Sequence, residues 1–357
     1  MNKQLSYTTI SYFLCRALFI GLTFSVLIKE AKQDSWLSLI LAFVLGFIPV
    51  LLIHYIASYQ PEKSLKQKYE QLFPHTNKFL MLLTGIGIFL LATLSFWNLC
   101  NLITSQFLNK TPKIVVGIYF IVPIILILSK EEKVIPRVST VLFYLSFFLF
   151  ILSFIGLIFQ FNFDNFAPSM IYFPTKPIIA YLGFQVFPIF LLLFFPNSDI
   201  LKSIKKGYML SSIILFINVL LLIGVLGVEL ATIYQYPEFH ILKRAYQGVL
   251  TYRLENALAT QWIFDIFIYC VVSLKGCNQL LNFEKGFKMT IVPIIMLFLS
   301  AYLFKDNTIA NTLMDNYLFF LVPLFFSIIV LLLAIKIFYK KRSNTPILKA
   351  DNPKMLK

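Results

Sequence analysis

The sequence predicts an all-α membrane protein of ten transmembrane helices, arranged as a 5+5 inverted repeat with both termini in the cytoplasm. Three observations lead there. Of the 357 residues 59% are hydrophobic and only 13% charged, and the mean hydropathy of +0.81 is too high for a water-soluble domain. The chain divides into ten apolar stretches near the length of about 20 residues that a hydrocarbon core roughly 30 Å thick demands. Counted over alternate loops, Lys and Arg number 21 on the side of the N-terminus and 9 on the other, with Arg16 inside a span. The positive-inside rule assigns the richer side to the cytoplasm.

The spans fall near residues 8–28, 36–57, 79–103, 113–129, 138–160, 178–196, 208–232, 257–274, 289–304 and 316–339. The first is expected to be a retained helix, because Arg16 interrupts it, no small-residue cleavage site is evident and further spans follow at once. Bulky Tyr12, Phe13 and Leu14 before Cys15 also argue against lipid attachment. At the second span Asp34 is placed to N-cap the helix and Trp36 suits the interfacial aromatic belt. Residues 61–78, with Lys63, Leu65, Lys66, Lys68, Tyr69, Leu72 and Phe73, read as a short amphipathic helix on the cytoplasmic surface or a solvated loop. Residues 233–256, with Tyr236, Pro237, His240, Arg244 and Arg253, are long enough to cap an outer vestibule. One transmembrane domain is expected over 1–339, followed by a basic, disordered cytoplasmic tail, 340–357, containing Pro346 and Pro353.

Ten spans divide into repeat 1, about 8–160, and repeat 2, about 178–339. A five-helix unit crosses the membrane an odd number of times, so its second copy is inverted, which is the usual frame of secondary transporters. The first span of each half carries helix-weakening residues near its middle: Gly21 in one, Gly183 and Pro188 in the other. Broken helices there would present backbone amides and carbonyls to a ligand at the midplane.

Charge and composition exclude several classes. The net charge of +15 lies mostly beside membrane ends, which points to anionic lipid headgroups rather than nucleic acid. Cys15, Cys100, Cys270 and Cys277 form no CxxC and have no nearby His partner, so neither metal binding nor a disulfide framework is supported, and no cofactor is expected. His54, His75 and His240 are scattered and stand beside no acidic pair, so the chain is not expected to be an enzyme.

The chemistry then rests on the few polar groups within the spans. A charge at a helix centre costs about 2.5 to 3.5 kcal/mol on insertion scales, so Arg16 should pair, line a wet cavity or snorkel to the cytoplasmic face. As an ion-pair partner Asp265, well inside the eighth span, is favoured over Glu229, which is close enough to the outer end to be hydrated. Arg16 could equally clamp a ligand carboxylate. Thr93, Trp97, Asn98 and Asn101 share helical faces of the third span, suited to interhelical hydrogen bonding or ligand contact, and Gln261 and Trp262 carry the same two readings. Gly21 and Gly183 suit either close helix packing or a broken-helix site. The candidate ligand-binding set is Arg16, Gly21, Thr23, Asn98, Gly183, Phe184, Gln185 and Gln261, with Asp265 the candidate for ion or proton coupling.

Several elements resemble, in order, the B subunit of endospore germinant receptors, the GerAB-like proteins of the amino acid-polyamine-organocation superfamily. Gln33-Asp34-Ser35-Trp36-Leu37-Ser38 is similar to the family's Gln-Asp-Ala-Trp-Ile signature. Thr111-Pro112, Arg137 after Glu131-Glu132, and Asn165-Phe166-Ala167-Pro168 follow. Tyr236-Pro237, Arg253-Leu254-Glu255 and Trp262 lead into the eighth span. One departure is Gly183-Phe184-Gln185 where the family often has Gly-Phe-Glu, and an amide cannot bind and release a proton near neutral pH. The resemblance implies a ten-helix fold of the LeuT/APC type that binds a small germinant, commonly an amino acid, in the inner membrane of a dormant spore. It also implies A-type and lipid-anchored C-type partner subunits. The alternative on the same frame is a proton- or sodium-coupled amino acid or amine permease.

Overall fold

Proline, glycine and small polar residues decide where these apolar helices bend, stop and touch. The computed structural model describes residues 3–18, 24–167, 175–234, 236–244, 255–302 and 319–344, and among them it is helical without strands. Two helices, α1 (Lys3–Ala17) and α2 (Phe24–Ala31), flank residues 19–23. There follow α3 (Ser35–Ser58), α4 (Leu65–Leu72), α5 (Asn77–Gln106), α6 (Lys113–Leu128) and α7 (Val134–Ile158). The chain continues through α8 (Thr175–Tyr181), α9 (Ile200–Ile233), α10 (Pro237–Arg244), α11 (Glu255–Leu281), α12 (Lys288–Tyr302) and α13 (Phe319–Asn344). Among the described residues seven segments are long and apolar enough to cross a membrane, and α6 and α12 are shorter apolar helices.

Burial separates the centre from the rim. α1 packs against α7, α9 and α11, and its Ile10, Tyr12, Phe13, Leu14 and Cys15 are wholly buried, as expected of a helix surrounded by others. α3, α7 and α13 instead turn Val44, Ile48, Val141, Phe148 and Leu324 outward. A continuous apolar rim of this kind suits lipid contact. α1 and α9 come close at Gly207 of α9, where an added Cβ would lie 2.2 Å from Ser11 Cβ and 3.0 Å from the Thr8 carbonyl oxygen, so the two helices touch almost backbone to backbone.

The sixth apolar segment is not one α-helix. α8 gives way to a π turn at Leu182–Val186 and then to a 3₁₀ run at Phe187–Phe194. Pro188 explains the change: it has no N–H for the carbonyl four residues back, and its ring crowds that carbonyl. α9 is kinked at Gly227, whose φ of +73° only glycine adopts readily. One turn earlier the Gly224 carbonyl accepts from Asn162 N–H (2.9 Å) and Asn165 Nδ2 (2.8 Å), so the 162–166 loop secures the bend.

At the end of the bundle that gathers residues 59–76, 130–133, 196–199 and 282–287, α4 starts with a capping box in which Gln67 accepts from Ser64 N–H at 3.0 Å. Lys68 lies under it, 2% exposed, and donates to the carbonyls of Ile56 (3.0 Å) and Ala57 (3.3 Å) at the C-terminal end of α3. The amphipathic stretch is therefore a shorter helix than expected and is docked on protein, with one of its lysines inside. α13 reaches the same corner: Lys340 donates to the Gln71 carbonyl (3.2 Å), and Lys341 sits 4.6 Å from the Tyr55 ring centroid.

Two expectations are corrected here. The last helix runs to Asn344, so residues 340–344 are helical rather than the start of a tail, and 345–357 lie outside the described residues. Asp34 does occupy the N-cap position of α3, but its side chain, buried at the end of a 3₁₀ turn, makes no capping hydrogen bond.

Candidate functional site

At the centre of the bundle α1 meets α11 through charge. Arg16 Nη2 lies 3.0 Å and Nε 3.2 Å from Asp265 Oδ2, and the two side chains are 1% and 0% exposed. Nη1 donates to the Tyr12 hydroxyl, one turn back on α1, with the guanidinium carbon 4.9 Å from the Tyr12 ring centroid. Two charges removed from water persist only when well paired and hydrogen-bonded, and this pair meets that condition on Arg16 more fully than on Asp265, whose buried Oδ1 has no donor among the described residues. A guanidinium carries five N–H groups, and three are engaged by partners among the described residues. Among the readings left open for Arg16, the ion pair is the one observed, and snorkelling is not.

Arg16 also lines a narrow cavity of about 20 Å³ between α7, α9, α10 and α11, with Ser153, Asn218, Glu238 and Trp262 on its wall. That is space on the scale of one water molecule. Trp262 joins it to a second polar cluster, packing edge-on against Tyr236 at a centroid distance of 5.8 Å. The Tyr236 hydroxyl accepts from Asn101 Nδ2 (2.8 Å) and donates to Asn98 Oδ1 (3.2 Å), so both asparagines of α5 are tied to the segment that leads into α10. Thr93 turns its hydroxyl back to the Phe89 carbonyl (2.8 Å). Gln261 is wholly buried, and neither atom of its amide has a partner among the described residues. Glu229 is exposed.

The π turn contributes the remaining candidates. Gly183, Phe184 and Gln185 are all buried. Gln185 Nε2 donates to Ser212 Oγ (2.8 Å), which also accepts from the Tyr181 hydroxyl (3.1 Å), while Gln185 Oε1 is buried without a partner among the described residues. Gly183 faces Pro323 of α13, and an added Cβ would come within 2.7 Å of the proline ring. Of the two readings of this glycine, close packing is the one with a visible neighbour. Gly21 and Thr23 lie outside the described residues. The structure thus brings Arg16, Asp265 and Trp262 to one locus with Asn98 linked through Tyr236, and places Gln185 in a separate hydrogen-bonded group on α9.

Sequence reasoning missed Tyr12, Glu238, Asn218 and Ser212. Tyr12 was detectable, since it precedes Arg16 by one helical turn. Nothing in the polar stretch around Glu238 signals that its carboxylate is only 6% exposed. Among the described residues no group of three or more His, Cys, Asp or Glu side chains is placed to hold a metal ion.

A bundle of membrane-length helices, one of them interrupted, around a buried ion pair defines a transporter-like membrane protein. Solved structures agree with this at the level of fold. The chain superposes on the Eremococcus coleocola manganese transporter, crystallised with an aromatic bis-isothiourea substituted compound, with a TM-score of 0.59 and 15% identity, covering 93% of this chain and 78% of that one. A mutant of the same transporter gives a TM-score of 0.54 at 12% identity with the same coverage. The particular family follows from sequence: residues 4–310 match the spore permease family model, described as "Spore germination protein", and the chain belongs to that family. It is 24% identical over 285 residues to the "Putative spore germination protein YfkT" of Bacillus subtilis (strain 168), spanning 77% of this chain and 78% of that protein.

Proposed function

We propose that the chain is the membrane subunit of a spore germinant receptor, which binds a small germinant, an amino acid, in a transporter-like site at the midplane and signals germination to A-type and C-type partner subunits. It resides in the spore inner membrane with its lysine-rich end in the cytoplasm. In this reading residues 1–339 form ten spans, counting α1 with α2 as one interrupted span and α6 and α12 as short ones, in two inverted halves near 8–160 and 178–339. Arg16, Gly21, Thr23, Asn98, Gly183, Phe184, Gln185 and Gln261 form the ligand environment, and Asp265 holds the charge of Arg16 in place. The observation that carries the reading is the Arg16–Asp265 pair: a guanidinium fixed at the centre of the bundle, on the wall of a cavity. A ligand that favours one helix arrangement shifts the population toward it, which is all a sensor requires.

The transporter-like fold favours a second reading, a proton- or sodium-coupled amino acid or amine permease in which Asp265 couples the ion. Two measurements separate them. Spores lacking the gene should fail to germinate with one class of amino acid, and purified protein in vesicles should accumulate none of that amino acid. Accumulation driven by a proton or sodium gradient would establish the permease, and normal germination of the deletion strain would remove the receptor role.

A further inference from the structure

Between α3 and α13 lies a groove of about 380 Å³, lined by Leu45, Ile48, Pro49 and Leu52 on one side and by Ser327, Val330 and Leu331 on the other. Leu182 of the π turn and Phe187 of the 3₁₀ run also line it. The lining is apolar but for Ser327 and shares no residue with the Arg16 cavity. The groove opens on the rim, where Leu45, Ile48 and Leu331 are 43%, 60% and 47% exposed. Its volume falls in the range of ligand sites, roughly 300–1,000 Å³, and is far above the voids of a packed interior.

Beyond one end of the groove stands a cation. Leu45, Ile48, Leu52 and Tyr55 follow one another at the spacing of a single helical face on α3. Lys341 comes about five turns after Pro323, so it shares the face of α13 that lines the groove. The two faces meet where the Lys341 ammonium sits 4.6 Å from the Tyr55 ring centroid, and both membrane-length segments end beside this contact, at Ser58 and Arg342. From Leu45 to Tyr55 the α3 face rises roughly 15 Å, half of a hydrocarbon core roughly 30 Å thick and thus the depth of one leaflet.

We infer that the groove binds one anionic phospholipid, with an acyl chain along Leu45, Ile48 and Leu52 of α3 and Val330 and Leu331 of α13, and the phosphate held at Lys341. An ammonium has three donors, so Lys341 reaches a phosphate oxygen while keeping its place over Tyr55. The apolar lining accepts any chain, and the cation selects the headgroup: an anionic lipid is attracted, whereas a zwitterionic one brings a cation of its own. The dimensions favour lipid over a partner helix. The lining covers residues 45–52 and 323–331, no more than roughly 12 Å of either helix, and a spanning helix would lie along most of 30 Å.

The test uses full-length protein in nanodiscs with a photoreactive probe, phosphatidylglycerol carrying a diazirine in one acyl chain, and locates the labelled residues by peptide mass spectrometry. The probe should label residues 45–52 and 327–331 more heavily than the similarly exposed Val141 and Phe148 of α7. Unlabelled phosphatidylglycerol should displace it about fivefold better than phosphatidylcholine of the same chains, the scale of one lysine beside an anionic headgroup. Lys341→Gln, at an exposed position, should bring the two lipids level while the groove stays labelled, and Ser327→Trp, which fills the groove, should abolish that labelling. Should Ser327→Trp fail to fold, wild type and Lys341→Gln still decide the matter. Groove labelling no heavier than that of α7, the result also given by a protein partner seated there, overturns the site, as does unchanged labelling in folded Ser327→Trp. Equal displacement by the two lipids in wild type, or a preference that survives Lys341→Gln, overturns the placing of an anionic headgroup at Lys341.

Discussion

Arg16 and Asp265 sit 249 positions apart in the chain, yet both nitrogens that Arg16 turns toward α11 converge on a single oxygen, Asp265 Oδ2, at 3.0 and 3.2 Å. The contact fastens α1 to α11 where both side chains are buried.

Removing one partner of a buried pair strands the other, at a cost of about 3–5 kcal/mol, whereas removing both is far milder. Asp265→Asn and Arg16→Gln should therefore each lower the thermal unfolding temperature of the detergent-solubilised protein sharply, and the double variant should recover most of the loss. Strictly additive losses in this double-mutant cycle would show that the two residues act independently.

Gly183 should tolerate no side chain while Pro323 stays. Gly183→Ala pushes a methyl into a contact of 2.7 Å with the proline ring, an overpacking penalty of about 1–3 kcal/mol. Thermal melts should show Pro323→Ala restoring part of the stability lost in Gly183→Ala, and no restoration would place the constraint elsewhere.

Tyr236→Phe deletes the hydroxyl that bridges Asn98 and Asn101. Hydrogen bonds between membrane helices are worth on average about 0.6 kcal/mol and at most about 2, so the stability loss should be modest. Because Tyr236 also packs on Trp262, the intrinsic tryptophan fluorescence should shift more than the melting temperature does.

Burial pushes the Lys68 ammonium down from the ordinary 10.5 to about 8. Between those two values the lysine is protonated in the unfolded chain and largely neutral in the folded one, so the folded form gains stability as pH rises from about 8 to about 10.5 and gains none from this group below about 8. Lys68→Met should flatten that part of the pH profile in thermal melts. An unchanged slope would assign it to another group.

What could be read in advance followed from lipid's intolerance of loose polarity. An arginine at a helix centre must find an acid, and Asp265 was the one far enough from both ends, so the pair was visible in sequence. The interruption of the sixth segment was visible because Gly183 and Pro188 weaken any helix. Burial produced by tertiary docking was hidden. Lys68 has the composition of a surface residue, and only the contact of α4 with the end of α3 encloses it. Glu238 belongs to a polar connection whose folding over the cavity leaves no periodic mark. Asp34 has a favoured capping residue type at the right position, but it also closes the 3₁₀ turn that precedes α3, and its side chain makes no capping hydrogen bond.

The eight residues from Phe187 to Phe194 have a consequence of their own. Wound as 3₁₀ they climb about 2.0 Å each instead of 1.5 Å, so the run reaches roughly 4 Å further along its axis than it would as α-helix. Directly before it the π turn is wound more loosely. A slack coil in series with a taut one exchanges pitch when a carbonyl passes from a partner three residues on to one five residues on, and each such exchange draws Phe195 along the axis.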